Sequence, residues 1–246
     1  MPAFNETGHA KNVTNFFDMI TFCQGYGSNY NPSKVAITIP SLQTLHTNSE
    51  AKINGVTTQN TAFNNAVNSR ILAFKDIRPL STRLLNALQT TDASAEMINN
   101  AKTINRKIQG KRATPVASTT TPIDPNTPAP TTISTSQQSF DQMIQHFNGI
   151  VELLMTEPSY TPNEADLKIT ALNTYYANLQ TTNQNVSTAY TAVSNSRIAR
   201  DKTLYDDNTG LYDIAQEVKK YVKSVFGATS SEYKQISGIK FTKGKK

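Results

Sequence analysis

In the second half of the chain, Leu172, Leu179, Val186 and Val193 recur at intervals of seven residues, with Tyr176, Tyr190 and Leu204 at partner positions between or beyond them. This spacing lays one apolar stripe along a helix and favours a coiled-coil-like seam. The stretch Glu164–Asp206 contains neither proline nor glycine, so a helix of roughly 40 residues, about 60 Å long, is permitted. Asn183 falls on the seam, where a polar residue fixes register at a cost in stability. Asn208-Thr209-Gly210 then predicts a turn, and Leu211–Phe226 a returning amphipathic helix that stops at Gly227. Upstream, Phe140, Met143, Ile144, Phe147, Ile150, Val151 and Leu154 form a further apolar face at helical spacing.

The first half follows the same plan. A helix is predicted over Val13–Cys23, a loop at Gly25-Tyr26-Gly27, a long helix over Ser41–Phe74, a return from Pro79 to Leu88, and a last helix over Ala93–Ile108. Only Lys34–Ile39 hints at a short strand. Tyr30-Asn-Pro32 matches Tyr160-Thr-Pro162 at an offset of 130, which also pairs Phe17 with Phe147 and Leu42 with Leu172. The run Thr61–Ile71 matches Thr188–Ile198 at an offset of 127, through a shared Asn-Ser-Arg-Ile. The difference implies three extra residues in the first copy, with a bend or unwinding near Asn54-Gly55.

Between the copies, residues 113–137 hold five prolines among threonines and serines with no apolar period. That composition predicts an extended linker. The expected fold is therefore all-α: two pseudo-repeated three-helix units with long central helices, forming an elongated helical bundle. The units are placed at 1–112 and 138–246, the second ending in a basic tail. The long helices are expected to form the central pair.

Composition narrows the function. Of the 246 residues, 89 are Thr, Asn, Ser or Gln, and only 17% are charged. The formal charge of +6 is concentrated in Lys102, Arg106, Lys107, Lys111 and Arg112, and in Lys240, Lys243, Lys245 and Lys246. No acid interrupts either group, and the remainder of the chain is slightly acidic. Basic clusters of this kind contact phosphate backbones without reading sequence. Phe241 alone accompanies the second group, so support for base stacking is thin. A single cysteine, Cys23, forbids an internal disulfide. No apolar run approaches the roughly 18 residues of a membrane span. The first residues have neither the basic segment nor the apolar stretch of a secretory leader, so the expected setting is the cytoplasm.

Catalytic groupings find little support. His9, His46 and His146 are scattered and no spacing suits a metal; no catalytic residue, metal or cofactor is assigned. Ser49–Lys52 and Ser231–Lys234 have the spacing of serine–lysine acyl-transfer enzymes, but their companion motifs are missing. Gln24–Ser28 resembles a phosphate loop only superficially, lacking the third glycine and the Gly-Lys-Ser/Thr. Asp206 and Asp207, with Asn208, read as a cap for the next helix. Arg70 and Arg197 occupy matching points of the two Asn-Ser-Arg runs. They could grip an anionic ligand or partner together, or each could hold its bundle through hydrogen bonds and ion pairs, with Asp201 in reach of Arg197.

The runs Asn31–Ile37, Ile108–Pro115, Asn195–Arg200 and Lys223–Ile236 resemble a group of two-repeat helical proteins of similar length from Bacteroidetes-type bacteria. The resemblance implies a cytoplasmic bacterial setting and carries no activity, cofactor or site. The expected function is a non-enzymatic structural or scaffolding protein that forms a homo-oligomer or binds a protein partner. The alternative is non-specific nucleic-acid or other polyanion binding through 102–112 and 240–246.

Overall fold

The computed structural model describes residues 8–111 and 138–243. The predicted linker 113–137, Arg112, Lys245 and Lys246 lie outside the described residues. The fold is all-α. In chain order the helices are α1 (His9–Gly25), α2 (Ile39–Phe74), α3 (Ile77–Gln89), α4 (Ala95–Gln109), α5 (Phe140–Met155), α6 (Ile169–Tyr205), α7 (Leu211–Phe226) and α8 (Ser231–Ser237). Local chemistry sets several ends. The Ser94, Ser139 and Ser230 hydroxyls accept the backbone N–H of Met97, Gln142 and Tyr233, capping α4, α5 and α8. Gly110 closes α4 at φ 71°, a left-handed conformation that glycine adopts without strain.

Two compact units are present, and neither coincides with a half of the sequence. One joins the described residues through Asn64 to those from Thr188 onward; the other is Asn65–Ser187. In the first unit, Val13, Phe16, Ile20 and Cys23 of α1 pack with Leu204, Leu211, Ile214, Val218 and Val222 from the far end of the sequence. In the second, Ile144, Phe147, Val151 and Leu154 of α5 pack with Phe74, Ile77, Leu84, Leu88 and Ile108. The segments 1–112 and 138–246 thus each contribute to both cores. An apolar stripe specifies a buried face but not which helix covers it, and here α1 is covered by α7 while α5 is covered by α3 and α4.

Burial also revises the register of the internal match. Phe16, not Phe17, is fully buried, whereas Phe17 is 50% exposed beside the His46 ring. Val13, Phe16, Ile20 and Cys23 therefore correspond to Ile144, Phe147, Val151 and Leu154, one residue off the sequence match. The loop that follows α1 takes up this residue, since Tyr30 and Tyr160 then agree at an offset of 130. The Tyr30 hydroxyl donates to the Ile37 carbonyl at 2.6 Å, and the Tyr160 hydroxyl to the Leu167 carbonyl at 2.9 Å.

Along the long helices the offset of 130 persists. Leu42, Val56 and Phe74 are buried like Leu172, Val186 and Leu204. The expected three-residue insertion is absent, and α2 continues unbroken through Gly55. The Asn-Ser-Arg-Ile match at 127 misleads because much of it is surface: Ile71 and Ile198 are both exposed. The suspected strand at Lys34–Ile39 is instead a 3-10 turn at Val35–Ile37, locked by the Tyr30 hydroxyl. Asp206, Asp207 and Asn208 do not cap α7 as expected. Its N-cap is Gly210, and Asp213 accepts the Asn208 N–H.

Candidate functional site

The arginines singled out by the sequence sit in different units and different settings. In the Asn65–Ser187 unit, the Arg70 guanidinium lies 4.0 Å from the centroid of the Phe140 ring. One of its amines donates to Asn183 Oδ1 at 3.1 Å, and Asn183 Nδ2 donates to Asp141 Oδ1 at 2.7 Å. This ties α2 to the start of α5 through the seam asparagine of α6. Arg70 Nε is buried without a hydrogen-bond partner among the described residues. In the other unit, Arg197 is exposed and donates to Asn60 Oδ1 at 3.3 Å. Asp201 pairs with Arg200 at 2.8 Å rather than with Arg197. At the offset of 130, the counterpart of Arg70 is Arg200, and the counterpart of Phe140 at 131 is His9, whose ionisation is disfavoured first by burial and then by Arg200.

Lys102, Arg106, Lys107 and Lys111 are all exposed along the second half of α4 and the residue after its cap. Their charges suit the carbonyl end of the helix dipole. Arg106 donates to Thr103 Oγ1, and Arg78 reaches the Ile108 carbonyl and Gln138 at the same end. Lys107 stands near His146, where burial and this ammonium together hold the imidazole pKa below its ordinary 6.5.

Of the second basic group, the described Lys240 and Lys243 lie in a segment held against the first unit. Asn12, 2% exposed in the middle of the apolar face of α1, uses its carboxamide to grip the Thr242 main chain. Its Nδ2 donates to the Thr242 carbonyl at 2.8 Å and its Oδ1 accepts the Thr242 N–H at 3.0 Å. Asn15 Nδ2 donates to the Lys240 carbonyl at 2.7 Å. Lys219 on α7 donates to the Ser237 and Ile239 carbonyls, and burial pushes its pKa down. The Phe241 ring meets Phe16 edge-on at 6.5 Å, and Lys243 lies 3.4 Å from Asp207. Lys240 keeps its side chain exposed. Sequence reasoning passed over Asn12 and Asn15; the available signal was a lone amide interrupting the α1 stripe where α5 carries Met143.

Other titrating groups behave as core residues. Burial pushes the Cys23 thiol up to about 12, with Tyr30 as its hydrogen-bond partner. Tyr160 and Tyr175 are likewise raised to about 12, mainly by burial. Among the described residues no group of His, Cys, Asp and Glu could hold a metal ion, and no helix is long and apolar enough to cross a membrane. The first unit carries open grooves. One of about 420 Å³ lies between the start of α2 and the α6–α7 turn; another of about 280 Å³ is lined by Phe22, Tyr26, Ser231 and Gln235. No protein-family model, curated protein or solved structure matches the chain.

Proposed function

We propose that this is a non-enzymatic structural or scaffolding protein, built from a duplicated helical unit, that self-associates or binds a protein partner. The observation that carries the reading is the set of large apolar side chains left on its helices. Phe17, Phe22, Ile71, Tyr190, Ile198 and Val225 are all exposed. On the first unit, Phe22 lines a groove together with Tyr26, whose ring meets Phe226 at 5.2 Å. Large apolar side chains exposed at a surface groove mark a candidate interaction site. Threonine- and asparagine-rich faces around it permit close lateral packing with little charge repulsion. The perturbed tyrosines and thiol serve the cores, which favours a structural role over catalysis. The setting we propose is the cytoplasm, where a lone buried thiol such as Cys23 stays reduced.

Light scattering coupled to size exclusion, across a wide concentration range, tests this. A mass that rises with concentration is expected, and Phe22→Ser should lower it; a compact monomer throughout would overturn the reading.

A second reading, polyanion binding, is favoured by the four exposed cations of α4 and its end, Lys102, Arg106, Lys107 and Lys111. It requires an affinity for double-stranded DNA that falls steeply with salt and disappears when these four become glutamine. Absence of binding at low salt would remove it.

A further inference from the structure

Matching the start of α2 with the start of α6 at the offset of 130 sets Leu45 against Tyr175 and Ala36 against Asp166. In the Asn65–Ser187 unit both of the larger residues reach across to neighbouring helices. The Tyr175 ring meets Phe147 edge-on at 5.1 Å, and its hydroxyl donates to the Ala73 carbonyl at 2.7 Å. Asp166 pairs with Arg83 of α3 at 2.5 Å. The first unit has neither group. Leu45 stops short of a tyrosine's reach and Ala36 carries no carboxylate. Glu217, which matches Arg83 at an offset of 134, pairs instead with Lys34 at 2.6 Å.

A longer turn adds to the difference. The buried residues Ile77, Ser81, Leu84 and Leu88 of α3 match Leu211, Ala215, Val218 and Val222 of α7 at 134, so the α6–α7 turn carries four residues more than the α2–α3 turn. Asn208 and Thr209 belong to that addition. They line the groove of about 420 Å³ together with Ala36, Leu45, Asn48 and Ile214. The groove therefore lies at the residues by which the two units differ, and it has the size of a small-molecule site. Leu45 and Ile214 supply apolar surface, and the Asn48 and Asn208 carboxamides have no hydrogen-bond partner among the described residues. Among the described residues no charged side chain lines it, so nothing there offsets the desolvation of a charged ligand. Asn208 also holds a left-handed backbone at φ 66°, which glycine would adopt at less cost.

We propose that this groove binds a small neutral ligand built on a hydroxylated aromatic ring, seated where the other unit holds the Tyr175 side chain. The ring packs on Leu45 and Ile214, and Asn48 and Asn208 serve its hydroxyl and its other neutral polar groups. The site goes beyond the scaffold reading and does not depend on it, since the groove lies within one unit.

The test titrates the isotope-labelled, full-length chain with 4-methylphenol, the tyrosine side chain as a free molecule, and follows methyl resonances by nuclear magnetic resonance. Saturable shifts at Ala36, Leu45, Thr209 and Ile214 are expected. Toluene, which lacks the hydroxyl, should bind about fivefold more weakly or worse. Leu45→Tyr supplies the ring from the chain itself and should abolish binding. Asn208→Gly keeps the left-handed backbone and the main-chain bond to Asp213, and should weaken 4-methylphenol about three- to tenfold. Circular dichroism verifies that each variant is folded; should Leu45→Tyr fail to fold, Asn208→Gly carries the test. Absence of saturable shifts in the unmodified chain, equal binding of toluene, or undiminished binding by either folded variant would each overturn the proposal. A blocked tyrosine tripeptide that binds the groove more tightly than 4-methylphenol would assign it to a tyrosine of a protein partner and overturn the small ligand. Light scattering decides the scaffold reading separately, so either can fail without the other.

Discussion

Phe16 and Phe17 are adjacent phenylalanines to which sequence and structure give opposite roles, so replacing each by alanine tests the register of α1. Phe16 is fully enclosed within the core that α1 shares with α7, against Phe241. Truncating a fully buried phenylalanine removes its transfer energy and leaves a cavity, typically about 3–5 kcal/mol. Phe17 is 50% exposed and rests on His46 at 5.2 Å. Losing a half-exposed ring forfeits only part of the burial term, about 1 kcal/mol or less. Because whole domains are stable by about 5–15 kcal/mol, Phe16→Ala should move the urea midpoint strongly and Phe17→Ala only slightly. Unfolding followed by far-ultraviolet circular dichroism, at equal protein concentration, reads the difference. A larger loss for Phe17→Ala would mean that the sequence match pairing Phe17 with Phe147 is the true register, and the core described for this unit would be wrong.

Cys23 should resist thiol reagents in the native protein at pH 8, because burial holds its pKa near 12 and little thiolate exists; full labelling within seconds without denaturant would contradict its placement. His9 and His146 both have folded-state pKa values below the ordinary 6.5, each mainly through burial, with Arg200 and Lys107 adding to the effect and Asp201 opposing it at His9. The unfolded chain therefore binds protons more readily, and stability should fall as the pH drops from 6.5 towards the folded values. His9→Gln with His146→Gln should flatten that slope in thermal melts, and an unchanged slope would exclude these residues as its source. Arg70→Ala should cost about 1–2 kcal/mol, from the ring contact with Phe140 and the bond to Asn183. Arg197→Ala should stay within about 0.5 kcal/mol, and equal losses would restore the two arginines as equivalents.

Much of the local structure was legible. The limits of α7 are those predicted and α2 starts two residues before its expected Ser41, because seven-residue periodicity and the absence of breakers speak directly to helix formation. By contrast, α6 starts only at Ile169, inside the expected Glu164–Asp206, after a 3-10 turn at Ala165–Leu167. What periodicity withholds is the identity of the partner. The stripe of α1 would have fitted the first-half helix α3 as readily as α7, and only tertiary packing distinguishes them. The Asn-Ser-Arg match misled for a related reason: shared surface residues outweighed buried ones in the comparison. The clasp between Asn12 and Thr242 was legible only as an anomaly, Asn12 in an apolar stripe, and Phe241 looked like an isolated aromatic among lysines. The distance of 230 positions between Asn12 and Thr242 puts their pairing beyond any local pattern.

The central claim is that each core is assembled from both halves of the sequence. A site-specific protease sequence inserted within 113–137 tests it directly, because cutting there severs the halves while leaving every described helix intact. The two fragments should then co-elute in native size exclusion, melt in a single shared transition, and separate only in denaturant. Fragments that separate spontaneously and each remain folded would contradict the account, since neither half could then depend on the other for its core.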